Sequence, residues 1–217
     1  MTATHAEPNL LGFRVNHRAM RGDVRRLAAL TSAIAEGRQP YDRGRAQALR
    51  IYLDMLCEGI HHHHRMEDEM LWPVLVRSAG AEIDLRELSD DHAALDPLLD
   101  QVRDLATRFA GGDLELAVAG QLSRVLAQLR DHLDEHIEEE ERMIFPIIRR
   151  YVSVADWATV ERAVRKGGAF KFEVPRIERY AEPDELAELL RIAGPALRVA
   201  LRLLRRGFAK REALVFG

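Results

Sequence analysis

The stretch GIHHHHRMEDEMLWP, residues 59–73, decides how the chain is read. Successive residues turn about 100° on a helix, so four adjacent histidines cannot share one face. His63 lies with Leu56, Ile60, Glu67, Met70 and Val74, an apolar stripe that faces a core. His61 lies with Asp54, Glu58, Arg65 and Asp68 and faces water, and His62 lies near Met55, Met66 and Glu69 at the boundary. His64 competes with His63, because Leu71 and Leu75 are on its side, although Asp68 follows it by one turn. A second stretch, IEEEERMIFPII at residues 137–148, arbitrates. It aligns with HRMEDEMLWPVL, residues 64–75, when Pro73 is placed on Pro146. Glu67 then falls on Glu140 and His63 on His136, two His-x-x-x-Glu pairs with both side chains on one helical face. The alignment therefore favours His63, with His64 kept as an additional ligand or an orienting partner.

Working outward, helical periodicity dominates the chain. It predicts helices over roughly 8–35, 42–77, 84–109 and 113–151, with Gly or Pro at each junction and Asp42, Asp84 and Asp113 as N-caps. Short connections between long helices imply antiparallel neighbours, so the predicted fold is all-α, an up-down four-helix bundle over residues 8–151. Residues 152–217 read as a helical C-terminal extension: a short helix near 154–164, a break at KGGAFKFEVP, and helical pieces at 184–192 and 195–208.

Each bundle helix carries a polar residue on its apolar stripe. Leu10, Phe13, Met20 and Val24 surround His17, and Leu85, Leu88, Leu95 and Leu99 surround His92 at the same offsets. The interval from His17 to His63 is 46 residues and from His92 to His136 is 44. At about 1.5 Å per residue, the turns place His17, His63/Glu67, His92 and His136/Glu140 at one level of the bundle. Four imidazoles and two carboxylates left unpaired in a core would be costly, and a bound cation offsets that cost. Mixed nitrogen and carboxylate donors suit iron, manganese or zinc, and six side chains exceed one tetrahedral zinc. The two-fold repeat points to two metals, one for each half.

Blander readings compete. A lone histidine on an apolar stripe is usually a satisfied core residue, and the acid run DEHIEEEER is mostly a solvated face. Glu138, Glu139 and Glu141 belong to that face or to the surroundings of the ligands. A ferritin-like arrangement would want Glu-x-x-His on two helices; Glu58 and His61 have that spacing, but the fourth helix offers no counterpart. His132, one turn before His136, is a fifth ligand, an orienting partner or a half-exposed residue.

The bulk figures exclude several classes. The net charge of -3 gives no case for nucleic-acid binding. Cys57 is the one cysteine, so no intrachain disulfide forms, and no signal peptide or bilayer-spanning run is visible. A cytoplasmic location is expected. The C-terminal segment carries seven basic residues from Arg191 to Arg211, with Leu197, Leu201 and Leu204 on one face. It either packs back on the bundle or meets an anionic membrane surface or a protein partner.

These motifs resemble the hemerythrin-like proteins with the HHE cation-binding domain. The resemblance covers roughly residues 10–150 and rests on His17, His63/Glu67, His92, His136/Glu140 and the flanking EDEMLWP and EEERMIFP. It implies a four-helix bundle holding two iron ions in an oxo- or hydroxo-bridged centre that meets dioxygen, peroxide or nitric oxide. Oxygen-carrying hemerythrins use five histidines and two carboxylates. The four-histidine, two-glutamate pattern here is similar to bacterial iron-centre-repair proteins and to the iron-sensing domain of a eukaryotic ubiquitin-ligase subunit. The implied activities are therefore binding or turnover of a small oxidant in stress or iron homeostasis, or a non-enzymatic oxygen or iron sensor acting through the C-terminal segment.

Overall fold

The computed structural model describes residues 7–112, 115–167 and 169–217. Every regular element among them is helical: α1 (Leu11–Ala35), α2 (Arg43–Met66), α3 (Trp72–Ala79), α4 (Arg86–Gly111), α5 (Leu116–Tyr151), α6 (Val154–Gly167), α7 (Phe170–Tyr180) and α8 (Pro183–Phe216). The bundle is built from α1, α2 with α3, α4 and α5.

The helix expected over 42–77 is interrupted. A single π turn, Glu67–Leu71, joins α2 to α3, with the Trp72 amide donating to the Glu67 carbonyl. Pro73 has no N–H to offer an α-helical ladder, and the wide turn falls just before it. Such turns are common at functional sites. Pro146, its counterpart by alignment, sits inside α5 without one. At the helix ends, the Asp42 carboxylate accepts from the Arg45 amide at 2.7 Å and caps α2. Leu85 rather than Asp84 is the boundary residue of α4, and Asp84 accepts from the Arg86 amide at 3.1 Å. Asp113 lies outside the described residues.

α5 packs along α1 and α4, and α4 packs on α2, while α1 and α2 barely meet. The C-terminal helices cover that seam, α7 against α1 and α8 against α2. Phe172, Phe208 and Val215 thereby join Tyr52, Leu53 and Leu56 in one apolar cluster. The break expected at KGGAFKFEVP is instead largely helix, since α7 runs through Pro175. A proline inside a helix costs about 3 kcal/mol. Full burial of Phe172 returns about 1.5–3 kcal/mol, and Arg176 is buried beside it, so tertiary packing overrides the local signal. The Arg176 guanidinium donates to Asp23 at 2.7 Å, and Asp23 also accepts from the hydroxyls of Tyr52 and Tyr180. α8 bends at Gly194, where φ is 74°, and continues to Phe216 with Leu201, Phe208 and Val215 turned inward.

Candidate metal centre

On every bundle helix the apolar stripe is interrupted at one height. Met20, Ile60, Leu95 and Leu133 belong to the larger apolar cluster, and Leu10, Leu71, Leu88 and Ile144 belong to a second one. Between them lie His17 on α1, His63 and His64 on α2, Glu67 in the π turn, His92 on α4, and His136 and Glu140 on α5. None of these seven is more than 6% exposed.

Their donor atoms converge into two groups. His17, His63, Glu67 and Glu140 form one, and His64, His92 and His136 form the other, with the atoms of each group within 4.8 Å of one another. The two carboxylates join the groups. Glu67 stands 2.9 Å from His63 Nε2 through one oxygen and 3.5 Å from His92 Nε2 through the other. Glu140 Oε2 stands 3.3 Å from His17 Nε2 and 4.0 Å from His136 Nε2.

Three imidazoles are fixed from outside the layer. His17 Nδ1 lies 2.9 Å from Glu141, His92 Nδ1 lies 3.1 Å from Asp68, and His136 Nδ1 lies 3.4 Å from Asp91. A carboxylate at Nδ1 keeps the proton there and leaves the Nε2 lone pair aimed at the centre. Aromatic rings wall the layer: Phe13 stands 4.5 Å from the His17 ring, and Trp72 stacks on His92 at 5.9 Å.

Burial sets the charge state. It holds His17 and His64 well below the ordinary imidazole range, lowers His63 and His92, and brings His136 down to about 3. It pushes Glu67 up to about 8 and Glu140 well above the carboxylate range, the two carboxyls opposing each other's ionisation at Glu140. Among the described residues, both ring nitrogens of His64 and Nε2 of His92 and of His136 are buried without a hydrogen-bond partner, and the Glu67 and Glu140 oxygens meet only each other and the imidazoles. Such atoms converging from α2, its π turn, α4 and α5 are what a cation would satisfy. The donor set fits a transition metal.

The four consecutive histidines have four different surroundings. His61 pairs with Asp96 at 3.2 Å. His62 Nε2 lies 3.0 Å from the Val164 carbonyl, holding α6. His63 turns toward His17, with ring centroids 5.0 Å apart. His64 turns toward His92 and stacks on it at 4.2 Å. The sequence favours His63 and keeps His64 as an additional or orienting residue, and the structure brings both to the layer. Leu71 and Leu75 on the side of His64 were the available signal, and both are buried. His132 is exposed and stands outside the layer. Asp68 and Asp91 as imidazole partners had no periodic signature.

An all-helical bundle with a buried histidine and carboxylate layer defines the class as a helical metal-site protein. The model of the Hemerythrin HHE cation binding domain matches residues 12–148 and also residues 95–216. The chain belongs to this family. No curated protein and no solved structure matches it. Among the described residues, no helix is long and apolar enough to cross a membrane.

Proposed function

We propose that the layer holds two iron ions joined by an oxo or hydroxo bridge, and that the protein binds or processes dioxygen, peroxide or nitric oxide. The observation that carries the reading is the position of Glu67 and Glu140, each within reach of an imidazole from both groups. Two ions sharing two carboxylates account for that position, whereas a single ion in one group would leave the imidazoles of the other group without a cation. His17 and His63 would hold one ion, and His64, His92 and His136 the other. Such a pair supplies redox chemistry toward small oxidants.

The chain's own residues prepare that chemistry. His64 raises the count to five imidazoles and two carboxylates, the ligand number that the resemblance gives for oxygen-carrying hemerythrins. The His17 and His63 group has one imidazole fewer, which leaves more room there for an exogenous ligand. Phe13 and Phe145 keep water from that side. Glu141, Asp68 and Asp91 are partly exposed and connect His17, His92 and His136 to solvent, so protons have a path to the imidazoles.

A sensor reading has one observation in its favour. Glu173 of α7 lies against Gly59, one turn before His63, where any larger residue would displace it. Metal loading that moved this turn would move α7. Absorption spectra with and without oxygen, with a peroxide-decomposition assay, test the oxidant reading. A reversible oxygen-dependent band or peroxide turnover supports it. An iron-loaded protein whose spectrum ignores all three oxidants, and whose α7 changes its protease sensitivity with iron, contradicts it and supports the sensor.

A further inference from the structure

A cleft of about 410 Å³ opens between α2, the π turn and α4, lined by Glu58, His61, Arg65, Glu69 and Asp96 and floored by His64. His92 and Asp68 complete its wall. Its floor and its rim differ in kind. At the floor, His64 is 3% exposed and both of its ring nitrogens lack a partner. At the rim, Glu58, Asp68, Glu69 and Asp96 face Arg65 as the one permanent cation of the lining. The His61–Asp96 pair stands across it at 3.2 Å, with Asp96 55% exposed.

We infer that this cleft is the route by which a divalent cation reaches the buried layer, with His64 as the first imidazole it meets. The inference rests on the proposed metal site and adds how that site is filled. A divalent ion with six waters needs about 200 Å³ at about 30 Å³ per water, so a hydrated ion fits the cleft. Clustered carboxylates at a mouth with low-dielectric walls raise the local cation concentration and the capture rate. The ion exchanges water for donors in order of depth: Asp96 and Glu58 at the rim, then His64 Nε2 or Nδ1, then the shared oxygens of Glu67. Asp68 has a different task, because it holds His92 Nδ1. On the His17 side, Phe13 packs against Phe145 and Trp157, with ring centroids 5.5 and 5.9 Å apart.

The test is anaerobic stopped-flow uptake of Co(II) by metal-free full-length protein, read by the visible d–d bands, in wild type and in the Glu58→Gln/Glu69→Gln/Asp96→Asn variant. Metal per chain at the end of the reaction is measured in parallel. The expected result is a second-order uptake rate lowered about tenfold at low salt, with a weaker dependence on ionic strength and the same two cobalt ions per chain. An unchanged rate with the same end point overturns the cleft as the route and leaves the metal site standing. Failure of the wild type to take up cobalt at all would instead contradict the metal site itself. A second variant, Arg65→Glu, adds negative charge at the rim and is expected to speed uptake; slower uptake would also overturn the inference.

Discussion

Loading the metal-free protein must release protons, and the count can be worked from the site. With Glu67 raised to about 8, roughly nine-tenths of this carboxyl is protonated at pH 7. Burial and the neighbouring Glu67 carboxyl also raise Glu140 well above the carboxylate range, while burial keeps the five imidazoles neutral. Metal ligation requires both carboxylates ionised, so Glu67 releases about 0.9 proton per chain at pH 7 and Glu140 adds to it. At pH 9, Glu67 is mostly ionised beforehand, and its share falls to about a tenth of a proton. Titration of metal-free protein with Co(II) under argon, in a weakly buffered solution with a pH indicator, measures the release. The expected drop from Glu67 is about 0.8 proton per chain between pH 7 and pH 9. Release below one proton at pH 7, or release that does not fall with pH, would show carboxylates already ionised in the metal-free layer and would refute it. The same shifts govern stability. A carboxyl with a raised folded-state value costs stability as pH rises from its ordinary value of 4.5 toward about 8. Imidazoles with lowered values cost stability as pH falls through 6.5. The melting temperature of the metal-free protein therefore peaks at about pH 6–7, and the metal-loaded protein lacks the alkaline decline.

Arg176→Met takes the buried cation from Asp23, which keeps the Tyr52 and Tyr180 hydroxyls and Arg26 at 3.6 Å, and is expected to cost about 2–3 kcal/mol, read as a denaturation midpoint, with Asp23→Asn in the same chain restoring part of the loss. A loss under about 1 kcal/mol would mean that α7 contributes little to the fold. Gly22→Ala places a methyl group into the Tyr180 ring, and overpacking there should cost about 1–3 kcal/mol by the same measurement. His64→Ala should lower metal content or affinity, while His132→Ala leaves both unchanged; the reverse pattern, by elemental analysis, would exchange their roles.

The bundle was legible because its signals are periodic and local: apolar stripes at helical spacing, junctions marked by Gly or Pro, and a repeat that set His17 and His92 at one height. What escaped was decided by contacts between distant segments. Reading one histidine per helix ranked His64 behind His63, although a helix packed between two neighbours turns adjacent residues toward both. The π turn at Glu67 differs from an α turn by one residue of ladder, and Pro73 alone hinted at it. α7 was masked by Gly168 and Pro175 in sequence. It is held by Phe172 in the core and by an ion pair between Asp23 and Arg176, which lie 153 positions apart. Asp68 read as a water-facing charge and Asp91 carried no signal; both are partly exposed, yet each stands against an imidazole.

The central claim is that two ions share Glu67 and Glu140. Anomalous diffraction at the iron edge from crystals of iron-loaded protein tests it most directly. The account predicts two peaks about 3.5–4 Å or less apart, one beside His17 and His63 and one beside His64, His92 and His136, with both carboxylates touching both ions. A single peak, or peaks among the surface carboxylates Glu138 and Glu139 with none inside the bundle, would contradict it.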